Sequence, residues 1–339
     1  MASSDWFENL TGFQERDYRT TQERLTVDGD QLVSTASDKR YGIGTLTLTP
    51  LSELRERVNL PDGERTTVQC IAADVGELHI LPEYSRALFQ VASQFNLLEM
   101  TGPNITPEEG VARYAFDHTQ GPTCAIAAGA ATIYRNYLVP VDGQTGQTHD
   151  RQLDGLADIG TALATQLDRP VTELWTMRNG YALCTPTGLQ AIDDLIANDD
   201  EAFRDRLRSK LAVGLHRNVE VTAVGAPRGQ HVSQAFCSAL PVTYGGGPRS
   251  SWETFARIIL EAAYEATMLA AVEQATAGGS NTLLLTRLGG GVFGNDDAWI
   301  DDAIVRSLGI VEHAGLDVRL VSHGHIDASM QTIADNWRR

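Results

Sequence analysis

Apolar and polar residues alternate with two periods along this chain, and the change from one to the other marks its elements. Period-two stretches at Ile43–Leu51, Thr67–Ala72, Ala87–Ala92, Val219–Val224, His231–Ala239 and Leu316–Val321 predict strands. Apolar positions at helical spacing from Trp252 to Ala275 (Phe255, Ile258, Ile259, Ala262, Ala263, Ala266, Leu269, Ala270) predict a long core helix closed by Gly278-Gly279. Thr106-Pro107-Glu108-Glu109 has the form of a helix start, with Pro in the first turn and acids behind it, and predicts a helix to about Asp117. Gly121-Pro122 then reads as a break. The Ala- and Gly-rich stretch Cys124–Leu138 predicts a second, closely packed helix. Two further helices, Leu153–Leu167 and Gly188–Ala197, flank a hairpin with Asn179-Gly180 at its turn.

The stretch Thr282–Leu308 stands apart. An apolar run, Leu283 to Leu285, leads into Gly289-Gly290-Gly291-Val292-Phe293-Gly294-Asn295, and then Trp299, Ile300, Ala303, Ile304 and Leu308 recur at helical spacing. That is strand, glycine loop, helix. Glycines there let backbone N–H groups approach an anion with no Cβ in the way, and the helix start adds its positive end. A P-loop Lys-Ser/Thr and the dinucleotide fingerprint spacing are both missing, so a nucleotide site of another type is expected. Strands alternating with helices give an α/β class: a three-layer α/β/α mixed sheet, with residues 1–40 as an extension and about 141–210 as a helical insertion in the domain 41–339.

Composition narrows the partners. The chain has 339 residues, 42% hydrophobic and 21% charged, enough for a sizeable core, and it contains no long apolar run that would span a membrane. Its 27 basic against 44 acidic residues leave a formal charge of −17, which argues against nucleic acid and suits a cationic partner group. Cys70, Cys124, Cys184 and Cys237 are spaced for neither disulfide framework nor metal site, so free thiols, a cytoplasmic location, and no metal or cofactor are expected. His231 and Cys237 lie too far apart along one strand to act as a catalytic pair.

The order Asp74-Val75 after a strand, Asn96 after a later strand, a Gly/Ala-rich helix ending near Tyr137-Leu138-Val139-Pro140, and Gly290 to Gly294 before a helix resembles the macrodomain family, over about two-thirds of the chain. The resemblance implies a macrodomain-like fold that binds ADP-ribose. Asp74 and Val75 would meet the adenine, Asn96 and Gln120 the distal ribose region, and Gly289, Gly290, Gly291, Val292, Phe293, Gly294 and Asn295 the pyrophosphate and ribose, with His323 stacked on adenine. The acidic segment Glu99, Glu108, Glu109 and Asp117 is similar to that of a divergent branch that removes ADP-ribose from arginine side chains of proteins. On a helix starting at Thr106, Glu109, Arg113 and Asp117 would share a face, where carboxylates could hold a guanidinium and stabilise an oxocarbenium-like state. Glu108 and Glu109 are equally what a helix start favours, and Asp74 and Asn96 suit turns. The expected activity is an arginine ADP-ribosylhydrolase, the alternative a reader that binds ADP-ribose without cleaving it.

Overall fold

The computed structural model describes residues 6–338. At its centre is one sheet of seven strands: β1 (Thr45–Pro50), β2 (Thr67–Ala72), β3 (Leu88–Ala92), β4 (Ala212–Glu220), β5 (His231–Cys237), β6 (Thr282–Leu285) and β7 (Asp317–Ser322). They lie in the order β1-β4-β5-β3-β6-β7-β2. β4 is antiparallel to both β1 and β5, and the pairs from β5 through β3, β6 and β7 to β2 are all parallel. The sheet is therefore mixed, and its parallel part has to be covered on both faces.

Side-chain alternation sorts those faces. In β6, Leu283 and Leu285 point to one side and Leu284 to the other; Ala235 and Cys237 oppose Phe236 in β5 in the same way. The side of Leu284 is covered by three helices, α1 (Val75–Ile80), α2 (Gln120–Ala127) and α3 (Gly129–Tyr137). The other is covered by α4 (Glu253–Thr276) and α5 (Asp297–Ile310), together with Ala157–Leu167, Pro186–Ala197 and Ala328–Trp337. This is a three-layer α/β fold. Every apolar position that marked α4 in the sequence is buried, and each Ile or Leu so covered contributes about 1.5–3 kcal/mol. Residues 6–42 form two short helices and a three-stranded antiparallel sheet that pack, through Trp6, Phe7, Leu10 and Phe13, on α3. The hairpin Trp175–Arg178/Tyr181–Cys184 turns at Asn179-Gly180, both with positive φ, as its sequence predicts.

Three expectations need correction. The single helix from Thr106 to Asp117 is two 3₁₀ turns, Pro107–Glu109 and Ala112–Phe116, parted by Gly110 at φ +80°. The cause is distant in sequence: the Glu15 carboxylate accepts the N–H groups of Val111 (2.9 Å) and Ala112 (2.7 Å), which a continuous helix would have used itself. Gly121-Pro122 opens α2 instead of breaking a helix, since Pro in a first turn loses no bond. The break comes at Ala128, where Gly129 N–H turns to Thr222 Oγ1 (2.8 Å) and Thr132 Oγ1 donates to the Ala125 carbonyl (2.6 Å). The strand expected at Val219–Val224 begins earlier, at Ala212, and ends at Glu220, because residues 212–217 pair with β1 while the opposite edge pairs with β5 across a register shift near Asn218.

Candidate functional site

The loops that leave the carboxyl ends of β3, β5, β6 and β7 converge with the start of α2 around a cleft of about 410 Å³. Such a position, at the ends of parallel strands, is where open α/β sheets present ligands. Ala92 to Gln94, Ala239, Thr286 to Gly289, Gly291 to Phe293 and His323 line it from the strand ends, and Asp117 to Pro122 from the start of α2.

The glycine loop is shaped from behind. Gly289 and Gly294 both take positive φ, and a Cβ on Gly289 would come within 2.5 Å of Ala239 Cβ. Asn295, itself buried, donates its carboxamide to the carbonyls of Leu240 (2.9 Å) and Gly289 (3.2 Å), and Thr243 N–H donates to the Phe293 carbonyl (3.1 Å) while its hydroxyl donates to that of Val292. The loop's carbonyls are thus turned into the protein. Among the described residues no acceptor meets the N–H groups of Gly291, Val292 and Phe293, three successive residues that line the cleft. The start of α2 faces the same space, and Thr119 provides no side-chain cap to its first N–H groups. Both features favour an anion. Arg287 also lines the cleft, yet its guanidinium is committed to Asp297 (2.7 Å), Asp301 (2.9 Å) and Asp327 (3.3 Å). An anion in this cleft would have backbone N–H groups, not Arg287, to hold it.

Glu99 lines the same cleft, next to Gly121 at the start of α2. It belongs to a turn closed by Gln94, whose N–H donates to the Leu98 carbonyl (2.9 Å) and whose Oε1 accepts Met100 N–H (2.8 Å), with Leu97 at φ +65°. Arg135, wholly buried, pins that turn by donating from Nε to the Leu97 carbonyl (3.1 Å). Glu99 is 2% exposed and lines the cleft, and neither of its carboxyl oxygens has a hydrogen-bond partner among the described residues. Burial pushes its pKa up to about 8, opposed by the Arg135 guanidinium 3.8 Å away and the Tyr114 hydroxyl. At neutral pH it is a largely protonated acid in the wall of the cleft, with both oxygens shielded from solvent. Asp117 lines the same space, half-exposed, with Oδ1 accepting Thr119 N–H (2.9 Å).

Of the other residues singled out in the sequence, Gln120, Gly289, Gly291, Val292, Phe293 and His323 also line this cleft. Gly290 lies beneath it against Ile300, and Gly294 and Asn295 support the loop. Glu109 pairs with Arg113, and Glu108 accepts both the N–H and the Nδ1 of His149 (2.9 and 2.8 Å); neither lines the cleft. Asn96 is buried away from it, bonded to Gln152 (2.8 Å) and Leu98 N–H (3.1 Å). Asp74 caps α1 through Gly76 N–H (2.7 Å), and Val75 is buried in that helix. Asp74 faces a second cleft of about 560 Å³, on the outer side of α1 and α2, which meets the first at Asp117 and His118.

Two contributors were missed. Tyr181, directly after the hairpin turn, and Tyr244, in the Val242–Tyr244 turn after β5, line the cleft beside Phe293. The Asn179-Gly180 turn was visible, but nothing local says which sheet end it meets; Gly245 to Gly247 after a strand were a second, unused signal.

No family model matches this chain, and no curated protein matches it. Among solved structures, the chain is similar to a poly(ADP-ribose) glycohydrolase from Thermomonospora curvata at 13% identity, over 94% of this chain and 95% of that one, with a TM-score of 0.45. It is similar to the poly(ADP-ribose) glycohydrolase from Deinococcus radiodurans in complex with ADP-ribose at 15% identity, over 86% and 92%, with a TM-score of 0.44. It is also similar to an Oceanobacillus iheyensis macrodomain with MES bound, at 9% identity over 87% and 96%, with a TM-score of 0.36.

Proposed function

We propose that this protein hydrolyses the N-glycosidic bond between ADP-ribose and a modified arginine side chain. The observation that carries the reading is the pairing, across one cleft, of a backbone anion cradle (Gly291 to Phe293) with a buried, unpartnered acid (Glu99) and a second carboxylate (Asp117). A diphosphate on the cradle would lay the attached ribose toward the carboxyl groups. The chemistry then needs few parts. Water attacks the anomeric carbon and gives its proton to the Asp117 carboxylate; the carbon–nitrogen bond breaks, and the departing guanidine nitrogen takes a proton from Glu99. Solvent returns the proton from Asp117 to Glu99. The oxocarbenium-like charge that develops between these steps is stabilised by the carboxylate.

Arginine is the favoured linkage because the fixed charge left unpaired in the cleft, Asp117, is acidic: its one arginine, Arg287, is neutralised by three aspartates, and the chain as a whole is acidic. A panel of proteins carrying ADP-ribose on arginine, serine or a carboxylate tests the proposal. Release of free ADP-ribose from the arginine linkage alone supports it. Binding of ADP-ribose without release from any linkage makes the protein a reader, and absence of binding removes both.

A further inference from the structure

We infer that the cleft contains a guanidinium subsite, formed by the aromatic rings of Tyr244, Phe293 and Tyr181 together with the Asp117 carboxylate. The inference rests on the hydrolase reading and adds to it the group that recognises the leaving side chain. Three aromatic rings from three separate parts of the chain meet here. The centroids of Tyr181 and Tyr244 are 5.2 Å apart, those of Tyr181 and Phe293 5.3 Å, and those of Tyr244 and Phe293 6.0 Å. Their planes are inclined by 60°, 51° and 77°, so each ring sets an edge against a neighbour; Tyr181, 2% exposed, backs the other two, and the half-buried Tyr244 and Phe293 present the remaining surface to the cleft. All three line the cleft.

The rings are held in place from behind. Tyr181 is buried and its hydroxyl donates to the Met100 carbonyl (2.7 Å), one residue beyond Glu99. Phe293 belongs to the anion cradle, and the Thr243 bonds to Val292 and Phe293 fasten the Tyr244 turn to that loop. The aromatic corner therefore stands beside both the cradle and the acid. Burial above all, then Tyr244 and the Asp117 carboxylate, oppose ionisation of the Tyr181 hydroxyl, and Asp117 lines the same cleft as the three rings.

A corner of aromatic rings beside a carboxylate, in a cleft whose arginine is already paired, attracts a cation that can stack. A guanidinium suits it better than an ammonium, being planar, weakly hydrated and able to lie flat on a ring, while Asp117, engaged with the attacking water, contributes its charge. The rings carry no charge that would hold a phosphate, and the diphosphate has its own backbone donors at Gly291 to Phe293. The subsite would thus fix the orientation of the leaving group and discriminate arginine from lysine or serine linkages.

The test compares wild type with Tyr244→Phe and Tyr244→Leu. Two quantities are measured: kcat/KM for release of ADP-ribose from arginine-modified protein, and binding of arginine amide and of lysine amide to the protein saturated with ADP-ribose. The Phe variant should stay close to wild type, and the Leu variant should lose roughly tenfold or more in kcat/KM and in arginine amide affinity, the scale of a desolvated cation–ring contact. Lysine amide should bind more weakly than arginine amide in the wild type. Affinity for free ADP-ribose should stay within a few-fold throughout, which also shows that the variants are folded. A Leu variant equal to wild type overturns the assignment. So does a Leu variant that loses free ADP-ribose, since the ring would then lie against the nucleotide. A wild type that releases no ADP-ribose defeats the hydrolase reading alone, and the amide measurements still decide the subsite.

Discussion

Gly291 offers a clean way to test the anion cradle, because its neighbours in the loop do not. A Cβ on Gly289 would strike Ala239, one on Gly294 would strike Thr243, and both positions have positive φ, so substitutions there would confuse folding with binding. At Gly291 φ is ordinary and nothing lies within 4 Å of an added Cβ. A side chain at 291 costs the fold little and enters the space in front of the free N–H groups. For Gly291→Glu, a carboxylate about 5 Å from a diphosphate charge costs about 3 kcal/mol at an effective dielectric of 20, on the order of a hundredfold in Kd. Gly291→Gln, of the same size and neutral, should lose markedly less, and Gly291→Lys should lose least. Isothermal calorimetry with ADP-ribose gives the three affinities, and thermal unfolding of each variant checks that Tm is kept. Equal affinities for the Glu and Lys variants, with unchanged Tm, would refute a diphosphate at this loop.

Other outcomes follow from the same geometry. Asp117→Ala should slow hydrolysis by at least about a hundredfold with ADP-ribose affinity kept within a few-fold, whereas Glu109→Ala, which only frees Arg113 outside the cleft, should leave the rate close to wild type; single-turnover assays compare them. Glu99 has a folded pKa raised from the ordinary carboxyl range to about 8, so its contribution to stability is present at acid pH and is lost as pH rises through that window. Unfolding free energies should therefore show wild type losing stability relative to Glu99→Gln between about pH 5 and about pH 9, with a slope of up to about 1.4 kcal/mol per pH unit. Asp74→Ala removes the cap of α1 and should cost about 0.5–2 kcal/mol in denaturant unfolding, whatever it does to ligand affinity.

What the sequence made legible followed period and local chemistry. The strand–glycine loop–helix unit at 282–310, the apolar stripe of α4 and the Asn179-Gly180 hairpin all appear where their residues indicate, since each is specified by neighbours within one or two turns. The segment 106–117 was misread because its geometry is set by Glu15, about a hundred residues away, which takes the N–H groups a helix would need. That change separates Glu109 from Asp117, so a shared helix face is the wrong ground for grouping them. Glu99 was visible as an acid, but its burial against Arg135, from a helix on one face of the sheet, depends on tertiary packing. Tyr181 and Tyr244 reach the cleft through loops from distant parts of the chain, which no local pattern encodes.

A crystal structure of the Asp117→Ala protein with an ADP-ribosylated arginine peptide would show the whole arrangement at once. The diphosphate should lie on the N–H groups of Gly291, Val292 and Phe293, with the anomeric carbon facing Glu99. The arginine side chain should lie against Tyr244 and Phe293. A diphosphate bound away from this loop, or an anomeric carbon turned away from Glu99 with the peptide leaving by another route, would contradict it.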